Sequence, residues 1–226
     1  MSTTTVYVIA GVAFLGSWLV KRWLAGTYAR WSRVPHTHGI TGAQAAAAIL
    51  QKNGVTNVRI EPVRGRLTDH YDPQKDILRL SATNYGGASV AAVAVSAHEA
   101  GHAMQDASND PRLRLRRYLV PLAAFGSRIG PIIVMAGLFT GSDAILRVGA
   151  FLLAGMVVFQ LATLPVEFNA SRRAMRSLRE LGFTDPEQED GTRMVLRAAA
   201  FTYVAAAATS IAYFATLFAG TRRRSI

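Results

Sequence analysis

The chain contains no cysteine, few charged residues and little histidine. Among its 226 residues, 17% are Asp, Glu, Lys or Arg, and 50% are hydrophobic. The absence of cysteine excludes disulfide bonds and thiolate ligation of zinc, and it fits either redox compartment. Of the five histidines, none follows His102. Any metal ligand that comes later in the chain is therefore expected to be a carboxylate.

Four stretches with almost no charge account for the hydrophobic composition. Each is close to the roughly 20 residues that a helix needs to cross a hydrocarbon core of about 30 Å. Lys21 and Arg22 follow the first stretch, whereas a cleaved signal peptide carries its positive charge before the apolar region, so a signal anchor is favoured. The alanine-rich last stretch would also suit a buried helix of a soluble bundle. The stretches are residues 1–20, 118–142 (interrupted by Arg128), 148–166 and 198–221.

The net charge of +11 has its source mainly in basic residues at the ends of these stretches. If all four stretches cross a membrane, fourteen of these residues share one side, and the positive-inside rule makes that side cytoplasmic. The cluster Arg222–Arg224 disagrees, because it would then lie outside. No nucleic-acid-binding module is evident, so anionic lipid headgroups, not nucleic acid, are the expected partner. The fourteen are Lys21, Arg22, Arg30, Arg33, Arg112, Arg114, Arg116, Arg117, Arg172, Arg173, Arg176, Arg179, Arg193 and Arg197.

His98, Glu99 and His102 form the pattern His-Glu-x-x-His. Positions i and i+4 share one face of a helix, so the two imidazoles can bind one ion from neighbouring turns. Glu99 lies beside them, where it can act as a general base on a water held by the ion. Residues 90–97 are small and apolar and contain no proline, which predicts a helix over about 88–107. The alternative is a pair of ordinary histidines on a half-buried helix.

Glu167 is the favoured third ligand. It ends a long uncharged run, where burial of a carboxylate without compensation is costly, and zinc would provide that compensation. Three later glutamates belong to a polar stretch that predicts a solvated loop. The alternative for Glu167 is a salt bridge with an arginine. The later glutamates are Glu180, Glu187 and Glu189, and the arginines are Arg128, Arg172 and Arg173.

Two further polar residues lie at helical spacing from these ligands. Asp106 is four residues after His102 and therefore lies on the same helix face. It could be a ligand, a hydrogen-bond acceptor behind a ligand, or a polar residue near the helix end. The last two interpretations are favoured. Ser171 is four residues after Glu167 and is positioned to hydrogen-bond a ligand histidine and fix its orientation.

Three residues are candidates for stabilising the oxyanion of a tetrahedral intermediate: His70, Tyr71 and Tyr203. For His70 and Tyr71, the favoured alternative is that they form a polar turn that caps a strand. For Tyr203, the favoured alternative is packing in an apolar core. His36 and His38 follow Pro35 and are expected to be solvated rather than metal ligands.

The region around these residues predicts a small α+β domain. A capping box at Thr41 and Gln44 favours a helix over 42–53, and alternation favours strands over 58–63 and 77–80. Pro62 suggests that the first strand lies at an edge. Zinc peptidases often bind substrate as an added strand, and residues 77–81, or the segment just before them, are expected to offer that edge.

Several motifs resemble those of known membrane peptidases. Glu167-x-x-Ala170-Ser171 resembles the E-x-x-A-D element that supplies the third zinc ligand in HtpX-like and CAAX-prenyl-type proteases, with serine replacing aspartate. More closely, the chain is similar to the bacterial neutral zinc metallopeptidases of the YugP type. This resemblance implies a multi-pass zinc peptidase of the bacterial inner membrane. It rests on residues 67–73, 97–103, 164–174 and 202–207, with Asn169 where aspartate is as often expected.

These observations predict a mainly α-helical membrane protein that carries a small α+β, zincin-like peptidase domain. The expected function is a zinc metalloendopeptidase, in which Zn²⁺ activates water, Glu99 is the general base, and the substrate is a peptide or membrane protein. The alternative is a non-catalytic metal-binding scaffold or regulator. The predicted segments are a signal anchor (1–24), the zincin-like domain (25–117), a transmembrane hairpin (118–166), a third-ligand helix with a polar loop (167–197) and a last transmembrane helix with a basic tail (198–226).

Overall fold

The computed structural model describes residues 3–221, which are mainly helical. The Arg222–Arg224 cluster, which disagreed with the predicted orientation, lies outside the described residues. The helices are α1 (Thr3–Trp31), α2 (Gly42–Lys52), α3 (Ala82–Tyr85), α4 (Val90–Ala107), α5 (Pro111–Thr140), α6 (Asp143–Glu180) and α7 (Pro186–Thr221). The strands are β1 (Arg59–Val63), β2 (His70–Asp72) and β3 (Ile77–Ser81).

The described chain forms two compact units, each built from separate stretches of sequence. The first, here called the apolar unit, comprises the described parts of residues 1–21, 114–165 and 201–226. The second, the mixed unit, comprises residues 22–113 and 166–200. All strands of the described chain belong to the mixed unit, as do His98, His102 and Glu167.

Within the described residues, four helices are long and apolar enough to cross a membrane, as predicted. In the apolar unit, α5 and α6 pack closely through small residues: a Cβ added to Gly126 would lie 2.4 Å from the Leu152 carbonyl oxygen. Large side chains point outward instead, and Phe139 and Phe151 are 84% and 78% exposed. Such an outer surface suits a hydrocarbon environment. The candidate spans are Val8–Trp31, Pro111–Thr140, Asp143–Glu180 and Pro186–Ala215.

The mixed unit contains a three-stranded sheet in the order β1-β3-β2. β3 pairs in parallel with β1 and antiparallel with β2. The expectation that residues 77–81 offer a free edge is therefore wrong. The reason is that His70–Asp72, which was expected to be a polar turn, folds as a short strand along β3. Within the described sheet the edges are β1, as Pro62 suggested, and β2.

Helices α2 and α4 cover this sheet with small and branched side chains. The capping box at Thr41 and Gln44 is present, and the Ser89 side chain caps α4 by accepting a hydrogen bond from the Ala92 amide. The resulting core joins α2, β3, α4 and the later part of α6. Its members include Ala46, Ile49, Leu78, Leu80, Val93, Ala97, Ala100, Ala174 and Leu178.

Gly101, inside the His-Glu-x-x-His pattern, allows α4 and α6 to approach closely. A Cβ at this position would lie 2.6 Å from the carbonyl oxygen of Ala170, closer than side-chain carbons normally come to backbone oxygens. Glycine at position 101 therefore lets the two histidines of α4 approach the segment of α6 that carries Glu167.

Two local expectations differ from the structure. The polar loop after Glu180 is shorter than expected, because α7 already begins at Pro186. Proline is favourable as the first residue of a helix. The Asp185 carboxylate caps α7 by accepting a hydrogen bond from the Gln188 amide at 2.8 Å. His36, expected to be solvated, is only 4% exposed. Its Nε2 lies 2.7 Å from the Phe183 carbonyl oxygen, so its ring ties residue 36 to the start of the α6–α7 connection.

Candidate metal centre

His98, His102 and Glu167 converge in the mixed unit. One potential ligand atom from each lies within 4.8 Å of the other two. The histidines come from adjacent turns of α4, and their ring centroids are 4.8 Å apart with the ring planes nearly perpendicular, at 84°. The i, i+4 spacing of the pattern thus places two imidazoles at one point, as a single metal ion requires.

Glu167 brings the carboxylate to this point from α6. Its Oε2 atom lies 3.2 Å from His98 Nε2 and 3.4 Å from His102 Nε2. The Glu167 side chain is 1% exposed, and those of His98 and His102 are 13% and 9% exposed. Two imidazole nitrogens and one carboxylate oxygen, turned towards each other in a nearly closed site, are a donor set that suits a catalytic zinc ion. The residues present therefore fit the metal that the sequence pattern predicted.

Gln105 holds His102 in one orientation. Its Oε1 atom lies 2.9 Å from His102 Nδ1, and its Nε2 atom donates hydrogen bonds to the Val166 carbonyl oxygen and to Asn169 Oδ1, both at 2.9 Å. Because the Val166 carbonyl can only accept, the Gln105 amide cannot be flipped, and its oxygen must face the imidazole. His102 Nδ1 therefore carries a proton, so that in the neutral imidazole the lone pair is on Nε2, which faces the cluster. This tautomer is the one that binds a metal through Nε2.

Ser171 lies behind the other histidine, as the helical spacing suggested. Its hydroxyl oxygen is 3.1 Å from His98 Nδ1. A hydroxyl can accept a hydrogen bond from Nδ1–H when Nε2 serves as ligand. The proposed role of Ser171 in orienting His98 agrees with this distance.

Gln105 was not singled out by the sequence reasoning, although a signal was available. It lies three residues after His102 and so shares its helix face. It is also fully buried, at 0% exposure. A polar residue at this position of an otherwise small and apolar helix requires hydrogen-bond partners, and the three described above supply them.

Replacing Gln105 with leucine should weaken zinc binding about 10- to 100-fold, the usual cost of losing a group that orients a ligand histidine. Leucine keeps much of the volume but cannot accept a hydrogen bond from Nδ1–H, so the tautomer and the ring orientation are no longer fixed. Zinc affinity measured by competition with a chromogenic chelator tests this. Gln51→Leu, at an exposed position of α2, is the matched control and should bind zinc as the wild type does. Equal affinities for the two variants would contradict the assigned role.

Tyr71 and Asp106 lie together. The Tyr71 hydroxyl is 2.9 Å from Asp106 Oδ2 and 3.0 Å from Asp76 Oδ1. Burial raises the pKa of the Tyr71 phenol, and its hydrogen bonds with Asp106 and Asp76 raise it further, so the group stays protonated. Asp106 thus bonds Tyr71 of β2, and the two favoured views of it, as a hydrogen-bond acceptor behind a ligand or a polar residue near the helix end, remain predictions.

The other predicted site residues are placed as follows. Glu99 follows His98 directly on α4 and is buried, at 9% exposure. His70 is exposed on β2, with its Nδ1 atom 2.8 Å from the Thr68 carbonyl oxygen. Tyr203 lies on α7 in the apolar unit. The roles proposed for these three residues remain predictions.

Comparison with known proteins identifies the family of the chain. Residues 6–222 match the family described as "Putative neutral zinc metallopeptidase", and the chain belongs to that family. It is 42% identical over 201 residues to "Putative membrane protease YugP" of Bacillus subtilis (strain 168), and the similarity covers 89% of this chain and 88% of the relative. No solved structure matches the chain significantly. The resemblance on which the sequence reasoning rested is thereby confirmed.

Proposed function

We propose that the protein is a zinc-dependent metalloendopeptidase of the bacterial cell membrane, with a zincin-like active site in the mixed unit. The observation that carries this proposal is the convergence of His98, His102 and Glu167 at one buried point, with Glu99 on the same helix turn as His98. Membership in the family and four apolar helices support the reaction class and the membrane location.

In this proposal, His98, His102 and Glu167 hold the metal. Zinc, when bound, lowers the pKa of a coordinated water and polarises the carbonyl of the substrate. Glu99 accepts a proton from the attacking water and passes it to the leaving amine. Gln105 and Ser171 keep the two imidazoles in the required orientation. The oxyanion-stabilising residue is one of His70, Tyr71 and Tyr203.

The substrate strand is proposed to add at the edge formed by β2. Of the two sheet edges, β2 is the one tied to the metal-binding helix, through the hydrogen bond between Tyr71 and Asp106. β1 is less suitable because Pro62 has no backbone N–H to donate. Main-chain pairing at β2 would accept peptides of varied sequence.

Joint measurement of zinc content and peptide hydrolysis, in the wild type and in Glu99→Gln, tests this function. A non-catalytic metal-binding scaffold would bind zinc equally well in both and hydrolyse peptides in neither. A metallopeptidase would bind zinc in both proteins, hydrolyse peptides as the wild type and lose hydrolysis in Glu99→Gln.

The mixed unit is proposed to face the cytoplasm, because the fourteen basic residues at the ends of the four uncharged stretches would share one side, which the positive-inside rule makes cytoplasmic. A protease-cleavable reporter inserted within residues 54–56, directly after the exposed Gly54 so that the buried Val55 keeps its place in the core, should therefore resist protease added to intact cells. The same reporter should be cleaved once the membrane is permeabilised, which controls for access. Cleavage in intact cells would reverse the assigned orientation.

A further inference from the structure

The mixed unit contains a groove between α6 and α7 that is lined by Ser171, the residue behind His98, but by none of the proposed metal ligands. Its volume is about 320 Å³. The apolar side chains along it are Phe168, Met175, Leu196 and Ala200, and five arginines surround them: Arg172, Arg176, Arg179, Arg193 and Arg197. An apolar surface bordered by cations of one sign suits a ligand that is itself apolar with an anionic group.

Three of the five arginines already have carboxylate partners. Arg176 lies 3.5 Å from Glu180. Arg179 and Arg193 both bond Glu189, with Arg179 Nε 2.8 Å and Arg193 Nη2 2.7 Å from its carboxylate oxygens.

Arg172 and Arg197 are different. Both are exposed, and within the described chain neither has a carboxylate within ion-pair distance. Arg172 Nε donates a hydrogen bond to the Phe168 carbonyl oxygen of its own helix, at 3.3 Å. The groove thus has two uncompensated guanidinium groups, one from each helix.

We propose that this groove binds an anionic phospholipid, with the headgroup phosphate held between Arg172 and Arg197 and an acyl chain along Phe168, Leu196 and Ala200. A guanidinium group donates two parallel hydrogen bonds to a phosphate, so two guanidinium groups suit a single phosphodiester well. Ala200 is followed on α7 by the uncharged residues 201–215, which form the apolar end of the candidate span Pro186–Ala215. A lipid is therefore the apolar anion expected near this groove.

A peptide fits this groove less well than a lipid. Both walls are helices, whose backbone N–H and C=O groups bond within each helix and are not offered to an extended chain. A bound peptide would therefore leave its own backbone groups without partners, whereas an acyl chain has no such groups.

The experiment is native mass spectrometry of the full-length protein in detergent, titrated with phosphatidylglycerol or phosphatidylcholine. The wild type should retain phosphatidylglycerol in preference to phosphatidylcholine. Arg172→Gln/Arg197→Gln should bind phosphatidylglycerol at least about tenfold more weakly, because each basic residue near an anionic lipid contributes severalfold to the affinity. Arg172→Lys/Arg197→Lys keeps the charge but not the paired hydrogen bonds and should lie between the two.

Arg112→Gln/Arg114→Gln removes the same charge from exposed positions at the start of another candidate span, and it should bind phosphatidylglycerol within about twofold of the wild type. Thermal unfolding and zinc content verify that all variants fold. If Arg172→Gln/Arg197→Gln does not fold, Arg172→Lys/Arg197→Lys is used to test the groove instead. An equal loss in the control pair would mean general attraction to anionic lipid and overturn the proposal. Unchanged binding of phosphatidylglycerol by the Arg172/Arg197 variants would also overturn the proposal. So would displacement of the bound lipid by an acidic peptide but not by free phosphatidylglycerol. Because lipid retention is the readout, the result is independent of peptidase activity.

Discussion

Replacing Glu99 with glutamine is expected to leave zinc bound and to reduce peptide hydrolysis roughly 10²- to 10⁴-fold, the usual contribution of a general base. The amide has nearly the size of the carboxylate, so a side chain that is only 9% exposed should be accommodated without a new cavity. It cannot accept a proton from water, however, and so the chemical step is lost while the ligand set of His98, His102 and Glu167 is retained.

Zinc stoichiometry by elemental analysis, together with turnover of a mixed peptide library, measures both parts of this expectation. Glu187→Gln is the control, since Glu187 is an exposed glutamate at the start of α7, and it should match the wild type in both assays. Substantial turnover in a zinc-loaded Glu99→Gln protein would remove Glu99 from the role of base.

Replacing Glu167 with alanine should strip the metal. The Glu167 carboxylate approaches both ligand histidines and is 1% exposed, so no water-exposed group can take its place easily. Loss of a ligand is expected to lower zinc affinity by more than the roughly 10- to 100-fold that losing an orienting group such as Gln105 costs. Glu167→Gln, which keeps the volume, separates loss of the ligand charge from loss of packing between α4 and α6.

Chelator competition on purified protein gives these affinities. Glu187→Ala and Asp106→Ala are the comparison variants and should keep zinc bound, because Glu187 is exposed and Asp106 bonds Tyr71. If Asp106→Ala released the metal while Glu167→Ala retained it, the site would be built on α4 alone and the assignment of Glu167 would fail.

The elements set by local chemistry could be predicted from the sequence. The i, i+4 spacing of His98 and His102 determines their convergence on any helix, and the capping box at Thr41 and Gln44 marks the start of α2. Glu167 could be chosen by elimination, since it is the glutamate that ends an apolar run. These features depend on a few neighbouring residues and not on the rest of the fold.

The features that depend on tertiary pairing were missed. Residues 70–72 are too few and too polar to show a strand pattern, and their strand conformation depends on pairing with β3. The edge predicted for residues 77–81 was wrong for the same reason. Gln105 was passed over because a glutamine on a helix is ordinarily a surface residue, and only the approach of α6 makes it buried and fully bonded.

The discontinuity of the mixed unit has a consequence for the order of events during synthesis. Its core needs Ala174, Leu178 and Leu196 as well as the earlier α2, β3 and α4, and its metal cluster needs Glu167. Residues 114–165, which contain the apolar hairpin of α5 and α6, leave the ribosome after α2, β3 and α4 but before Glu167, Ala174, Leu178 and Leu196. The nascent chain therefore cannot complete its metal-binding centre until the hairpin has been made and is available for insertion. A ribosome that stalls before residue 166 releases a chain that holds both histidines of α4 but lacks the carboxylate opposite them.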